Sequence, residues 1–310
     1  MKPVLPVLLL IALGSSCALR AWVRPSQLPE GGVEARDLKY WEGEGFDDKK
    51  HRLDVYAPKG PGPYPVVVFV HGGGWIFGDR QQIGSNYVQL GRRLASHGVV
   101  AVIPSYRLAW TARHPAQIQD VARALSWTMR HAAEYGGDPS SLFAMGHSAG
   151  AHLVALAACD PRWLREQGAS PSQLAGVIAV SGPYDVDHLG RSVFFGGLPM
   201  VIPTFGGDRS KWPDAMPATH LHQGHPPPFL VAWADGDPEV LRRDGPLFVR
   251  QLEAAHVPVE TFEAPFADHL SVITDFADDG DALGKKALGF IAQHTLELHE
   301  PARASASSGR

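Results

Sequence analysis

Apolar positions along this chain change their period repeatedly, and each change predicts an element. In "YPVVVFVHGGGW" the run from Val66 to Val70 is apolar without interruption, rich in β-branched residues and bounded by Pro65 and Gly72, which predicts a short strand buried on both faces. "GVVAVIPSYR" predicts a second buried strand and "SLFAMGHS" a third, with "AGVIAVSG", "PPFLVAWADGD" and "PVETFEA" following further along. Upstream, Leu53 and Val55 alternate with polar neighbours in "HRLDVYAP", the period of a strand. The remainder of 30–60 reads as polar and turn-rich.

Between the strands the period lengthens to that of a helix. Val88, Leu90 and Leu94 predict one helix over 86–97, and apolar residues at 118, 121, 122, 125 and 129 predict another from Ile118 to Tyr135, closed by the glycines of "GGDP". The small-residue run "AGAHLVALAAC" follows the third strand directly. A last helix is expected from Asp281 to Leu298, with apolar positions at 283, 287, 288, 291 and 295 or 296. Strands alternating with helices imply an α/β fold: a mainly parallel, twisted central sheet covered by helices on both faces, with ligand sites at the carboxyl ends of strands. One domain over 30–298 accommodates all of these elements, and the Gly-, Pro- and aromatic-rich stretch 186–224 is expected to be an insertion over the site.

Composition narrows the class. The chain has 310 residues, 45% hydrophobic and 19% charged, with a formal net charge of -4, which describes a soluble globular protein and gives no basic surplus for nucleic acid. Its first residues, "MKPVLPVLLLIALGSSCALR", run from one lysine through an apolar stretch to small residues before Cys17, the architecture of an export signal over 1–21. "LGSSC" resembles a bacterial lipoprotein box, although Leu13 stands four residues before the cysteine where three is usual. Lipidation of Cys17 with membrane attachment, simple secretion and an uncleaved anchor are the readings open, and all imply export. Cys17 and Cys159 are the only cysteines, so no structural disulfide is expected. "EPARASASSGR" carries almost no large apolar residue, and 299–310 is expected to be a disordered tail.

Gly146-His147-Ser148-Ala149-Gly150 fits G-x-S-x-G with a buried strand before it and a helix after it, the context of a nucleophile elbow. The tight turn excludes a Cβ at either glycine and holds the Ser148 hydroxyl toward substrate; the bland alternative is a serine serving as helix N-cap. His147 is expected to be a support residue, because its side chain on such a turn points away from Ser148. "HGGGW" at the end of the first buried strand leaves three residues without side chains, so backbone N–H groups there can approach a substrate oxygen. Acyl transfer needs such donors, each worth about 3 kcal/mol in the transition state. Gly72, Gly73 and Ala149 are assigned as the oxyanion hole. An acid and then a histidine must follow in chain order. Asp237 in "AWADGDPEV" is the assigned acid with Asp235 as competitor, and His269 in "FADHLSVI" is the base. His256 and His294 lie inside helical patterns, and Asp268 adjoins His269 too closely to orient its ring. "HLHQGH" sets His220 and His222 on one face of an extended segment, but no nearby Cys or carboxylate completes a metal site. Trp75, His147, Phe194, Phe195 and Trp212 are candidates for the substrate pocket; plain core is the alternative for the large aromatic residues.

With these residues in place the chain resembles the α/β-hydrolase fold, in particular HGGG-containing carboxylesterases related to hormone-sensitive lipase, arylformamidases and prenylcysteine methylesterases. The likeness covers roughly 38–297: "LDVYAP", "HGGGW", "YRL", "HPAQIQD", "GGDPSSLFAMGHSAGAHL", "GDPEV" and "DHLSVI" occur in the family's order and spacing. It implies a triad of Ser148, Asp237 and His269, an oxyanion role for Gly72 and Gly73, and hydrolysis of a small-molecule ester without metal or cofactor. Larger relatives carry an N-terminal helical cap that the segment before residue 60 is too short and polar to supply. An open site favouring small or soluble esters is therefore expected. Amide hydrolysis of the arylformamidase kind, and a noncatalytic binding protein on the same scaffold, are the competing readings; nothing in the sequence speaks to oligomeric state.

Overall fold

The computed structural model describes residues 27–81, 86–193 and 196–307, the side chains of Asn86, Glu297 and 299–307 excepted. The export segment with Cys17, and the pocket candidates Phe194 and Phe195, lie outside the described residues.

Among the described residues, eight strands form one sheet in the order β1-β2-β4-β3-β5-β6-β7-β8. The strands are β1 (Val33–Lys39), β2 (Arg52–Ala57), β3 (Tyr64–Val70), β4 (Val100–Pro104), β5 (Gly137–His147), β6 (Gly176–Val180), β7 (Phe229–Gly236) and β8 (Val259–Asp268). β1 and β2 run antiparallel, β2 joins β4 antiparallel, and every pairing from β4 through β3 to β8 is parallel. The expected mainly parallel sheet is thus present, with a short antiparallel edge. β1 is an addition to the expected elements. Its side chains are exposed or half-buried along their length, so no hydrophobic alternation marks it.

Alternation along the central strand sorts the core into two layers. Val66, Val68 and Val70 face a cluster completed by α2 (Ala116–His131), α3 (Ala149–Cys159), α4 (Pro161–Arg165) and α7 (Glu239–Ala254), together with α5 (Val186–Arg191) and α6 (Gly197–Phe205). Val67 and Phe69 face the other, built with α1 (Asn86–Ser96), α8 (Ser271–Thr274) and α9 (Ala282–Ser307). Burying a side chain of this size stabilises by roughly 1.5–3 kcal/mol, which is why the strands take the unbroken apolar runs. Past α2 a 3-10 turn (Ala132–Tyr135) ends at Gly136, whose φ of 75 is the left-handed cap that "GGDP" announces.

Three expectations need correction. The stretch 186–224 contains α5, α6 and two 3-10 helices, Arg209–Ala215 and Pro217–Gln223, so His220 and His222 sit in a helical turn instead of an extended segment. Asp185 and Asp208 cap the first and third of these with their side chains. His256 lies just beyond α7, in left-handed conformation (φ 57), and not within the helix. The last helix runs to Ser307, past the expected end at 298 and into the stretch 299–310 expected to be a disordered tail; Ala302, Ala304 and Ala306 favour the extension and Pro301 opposes it. Among the described residues no helix is long and apolar enough to cross a membrane.

Candidate active site

Between the end of β5 and the start of α3 the chain turns on one residue. Ser148 adopts φ 55 and ψ -122, a conformation that costs a non-glycine residue about 1–3 kcal/mol. Main-chain bonds on both sides hold it there: Ser148 N–H donates to the Val180 carbonyl at 2.8 Å, and His152 N–H donates to the Ser148 carbonyl at 3.1 Å. The turn closes so tightly that a Cβ on Gly146 would stand 2.4 Å from the Gly150 main chain, and one on Gly150 would stand 2.1 Å from the Val70 carbonyl oxygen. Both glycines of the motif are therefore sterically required. The Ser148 side chain makes no capping bond to α3, so the N-cap alternative is not realised.

The hydroxyl faces His269 instead. His269 Nε2 lies 3.0 Å from Ser148 Oγ, and His269 Nδ1 lies 2.7 Å from Asp237 Oδ1. A carboxylate only accepts, so Nδ1 carries the proton and Nε2 is left to accept from the serine. Asp237, buried at the end of β7, receives two further bonds on Oδ2, from Ser181 Oγ at 2.6 Å and Ala234 N–H at 2.9 Å. Burial alone would raise this carboxyl; the His269 bond and charge, with the Ser181 and Ala234 donors, outweigh it and hold Asp237 below the usual range. Ser181 ends β6 with φ 52, a second strained residue in contact with the same group.

The competing carboxylates are occupied elsewhere. Asp235 accepts from the N–H groups of Phe266 and Ala267 at 2.8 and 3.1 Å. Asp268 accepts from Leu270 and Ser271 N–H at 2.9 and 2.7 Å. Both shape the loop that carries His269. His147 donates from Nε2 to the His269 carbonyl at 2.8 Å, and burial pushes its imidazole down to about 3.

The glycine loop lies directly against the elbow. A Cβ on Gly72 would stand 3.1 Å from Ser148 Cβ, and Gly73 and Gly74 take φ 113 and 61, turning the loop so that Phe77 N–H closes on the Gly73 carbonyl at 2.9 Å. His71 anchors its base: the ring stacks on Tyr106 at 4.2 Å and its Nδ1 donates to the Gly72 carbonyl at 2.7 Å. Burial pushes this imidazole down to about 4, so it remains a neutral donor. Ala149 is the first residue of α3, where helix N–H groups lack intrahelical partners.

Two pocket candidates are displaced by the fold. Trp75 and Trp212 are fully buried and offer no surface to a ligand. Trp75 meets His152 and Phe205 edge-on at 5.1 and 4.9 Å, and Trp212 donates to the Gly206 carbonyl at 3.0 Å. Trp75 of the glycine loop and Trp212 of the insertion itself are core, because a large ring contributes most when wholly removed from water. Nearer the loop is Met200 of α6, whose methyl group occupies the place of a Cβ on Gly74, 2.5 Å from it. Sequence reasoning missed Met200 and Ser181; nothing around either marks it before the fold is known. His220 donates to the Asp214 carbonyl and accepts from Gln223, and among the described residues no three His, Cys, Asp or Glu side chains are grouped to hold a metal ion.

Comparisons with known proteins bear on the family and the fold. The BD-FAE family model matches residues 53–252, more than half of the chain. Esterase LipC of Mycobacterium tuberculosis is 33% identical over 274 residues, covering 84% of this chain and 67% of that protein. A probable isoprenylcysteine alpha-carbonyl methylesterase of Oryza sativa subsp. japonica is 34% identical over 148 residues, 46% of this chain; the chain spans only 35% of the rice protein's length. Among solved structures, esterase B from Lactobacillus rhamnosis superimposes with a TM-score of 0.74 at 22% identity, over 91% of this chain and 90% of that one, and shares the fold. The chain belongs to the BD-FAE family, among the carboxylesterases of the α/β-hydrolase fold.

Proposed function

We propose that the protein is a serine hydrolase of small carboxylic esters, with Ser148 as nucleophile, His269 as general base and acid, and Asp237 as the group that orients His269. The observation that carries this reading is the continuous hydrogen-bonded line from Ser148 Oγ through His269 to Asp237, at 3.0 and 2.7 Å. His269 Nε2 takes the Ser148 proton as Oγ attacks the ester carbonyl, and the resulting imidazolium is stabilised by the Asp237 carboxylate. The negative charge moving to the carbonyl oxygen is met by N–H groups of Gly72, Gly73 and Ala149, which the glycine loop and the N-terminus of α3 supply without reorganisation. The imidazolium then protonates the departing alkoxide, and water, activated by His269 in turn, releases the acyl group.

Turnover of p-nitrophenyl acetate, butyrate, octanoate and palmitate, measured beside N-formylkynurenine, tests the class. Short esters should be cleaved, and Ser148→Ala should abolish this while leaving the circular dichroism spectrum unchanged. Activity surviving in Ser148→Ala overturns the mechanism, and cleavage confined to the formamide replaces the ester reading with amide hydrolysis of the arylformamidase kind.

A further inference from the structure

We infer that His147 is a positioning residue, which fixes the backbone of His269 while its neighbour Ser148 engages the ring. The inference rests on the proposed Ser148, His269 and Asp237 relay. His147 Nε2 stands 2.8 Å from the His269 carbonyl oxygen, and since a carbonyl only accepts, Nε2 carries the ring's proton. Nδ1 is consequently bare. It is buried without a hydrogen-bond partner, beside Gly72, where a Cβ would come within 3.0 Å of it. One residue later, Ser148 Oγ stands 3.0 Å from His269 Nε2. Two consecutive residues of one strained turn thus hold two points of His269, its carbonyl and its ring, and the separation of nucleophile and base is set by a short rigid path through the elbow.

Charge and packing favour a neutral donor at this position. The two imidazoles are 4.8 Å apart between centroids, inclined at 40°. His269 becomes cationic during acyl transfer, and a second cation at that distance would oppose the change. Burial keeps His147 uncharged above about pH 4, so the donor persists without adding repulsion. A loss of this bond frees the loop after β8, and a misplacement of about 1 Å between reacting groups costs on the order of 100-fold in rate.

Three replacements separate the hydrogen bond from the volume. In His147→Gln the amide nitrogen reaches roughly the place of Nε2 and stays neutral. In His147→Asn the amide is too short, and in His147→Phe the ring volume remains but the donor is gone. The expected result on p-nitrophenyl butyrate is a kcat lowered on the order of 100-fold at little-changed KM in the Asn and Phe variants, with Gln restoring most of the rate. Near-UV circular dichroism checks folding, and the Asn variant carries the test if Phe does not fold. A folded Phe or Asn variant with parental kcat, or a Gln variant as impaired as they are, overturns the inference and leaves the relay standing. Activity in Ser148→Ala, run alongside, overturns the relay and this inference with it.

Discussion

Replacing Gly150 by alanine sets two effects of opposite sign against each other. Gly150 lies in the first turn of α3, where alanine is worth about 1 kcal/mol over glycine through helix propensity. A Cβ there would stand 2.1 Å from the Val70 carbonyl oxygen and 2.6 Å from that of His71. Both are main-chain atoms at the end of the central strand, so neither can rotate aside. The nearer contact falls about 1 Å inside the 3.0 Å below which Cβ atoms are essentially never found, and helix and strand must part by about that distance. Overpacking of this kind costs ~1–3 kcal/mol, and an unyielding backbone puts Gly150→Ala at the upper end. A net loss of roughly 2 kcal/mol is expected after the helix gain is subtracted. Rate suffers more, because the same movement separates Ser148 from the glycine loop, and about 1 Å is worth on the order of 100-fold.

Urea denaturation gives the stability change and p-nitrophenyl butyrate hydrolysis gives kcat. Gly289→Ala is the matched control: Gly289 is an exposed residue of α9 with nothing within 4 Å of a built Cβ. There propensity acts alone, and a gain of about 0.5–1 kcal/mol with unchanged rate is expected. If Gly150→Ala moves in the same direction as Gly289→Ala, or keeps the parental rate, the steric account of the motif is wrong.

The two aspartates of the β7 turn should separate cleanly. Asp237→Asn leaves His269 in the wrong tautomer and should lower kcat on the order of 10⁴-fold, whereas Asp235→Asn should cost mainly stability, about 1–3 kcal/mol, through the Phe266 and Ala267 N–H groups it serves. Equal losses of kcat would refute the assignment. Acid should destabilise the fold through four buried imidazoles: burial pushes His71 and His114 down to about 4 and His147 and His152 to about 3. Because these folded values lie below the unfolded one, the stability the four rings contribute is complete above about pH 6.5 and is lost as pH falls toward 4, at most ~1.4 kcal/mol per pH unit for each. A urea midpoint that stays constant from pH 7 to 5 would show that the rings are not buried in neutral form.

The strands that position the site were legible because a strand buried on both faces leaves an unbroken apolar run, and β3 through β7 do so. β1 was not, since an edge strand with exposed side chains carries no such run. α6 escaped for a different reason: Gly197, Pro199 and Pro203 argue against a helix locally, and packing of Val201 into the core overrides them. Within the site, G-x-S-x-G was readable because its glycines answer to local sterics. Asp237 was assigned over Asp235 although both stand at the end of the same strand, and the physical distinction lies in their neighbours: Ser181 from β6 and His269 on one side, the N–H groups after β8 on the other. Ser181 shows the limit most clearly. Its contribution depends on two strands and a turn meeting, which no window of sequence contains.

The way the insertion is fastened bears on what the site accepts. Met200 packs against Gly74, Phe205 against Trp75, and the Thr204 carbonyl takes the His114 N–H at 2.9 Å. His152, one turn into α3 from Ser148, donates to the Ala215 carbonyl at 2.7 Å, and His188 of α5 is bonded to the buried Asp244 of α7 at 2.5 Å. These contacts reach the glycine loop, the nucleophile helix and the helix after Asp237, so the insertion cannot swing away as a lid without disturbing each of them. Several buried hydrogen bonds, each costing about 1–3 kcal/mol when left unmade, would have to open together. A substrate that needs the insertion displaced would draw that energy from its own binding, whereas an ester that leaves the insertion in place draws none. The proposed preference for small esters therefore has a basis in how the insertion is tied down.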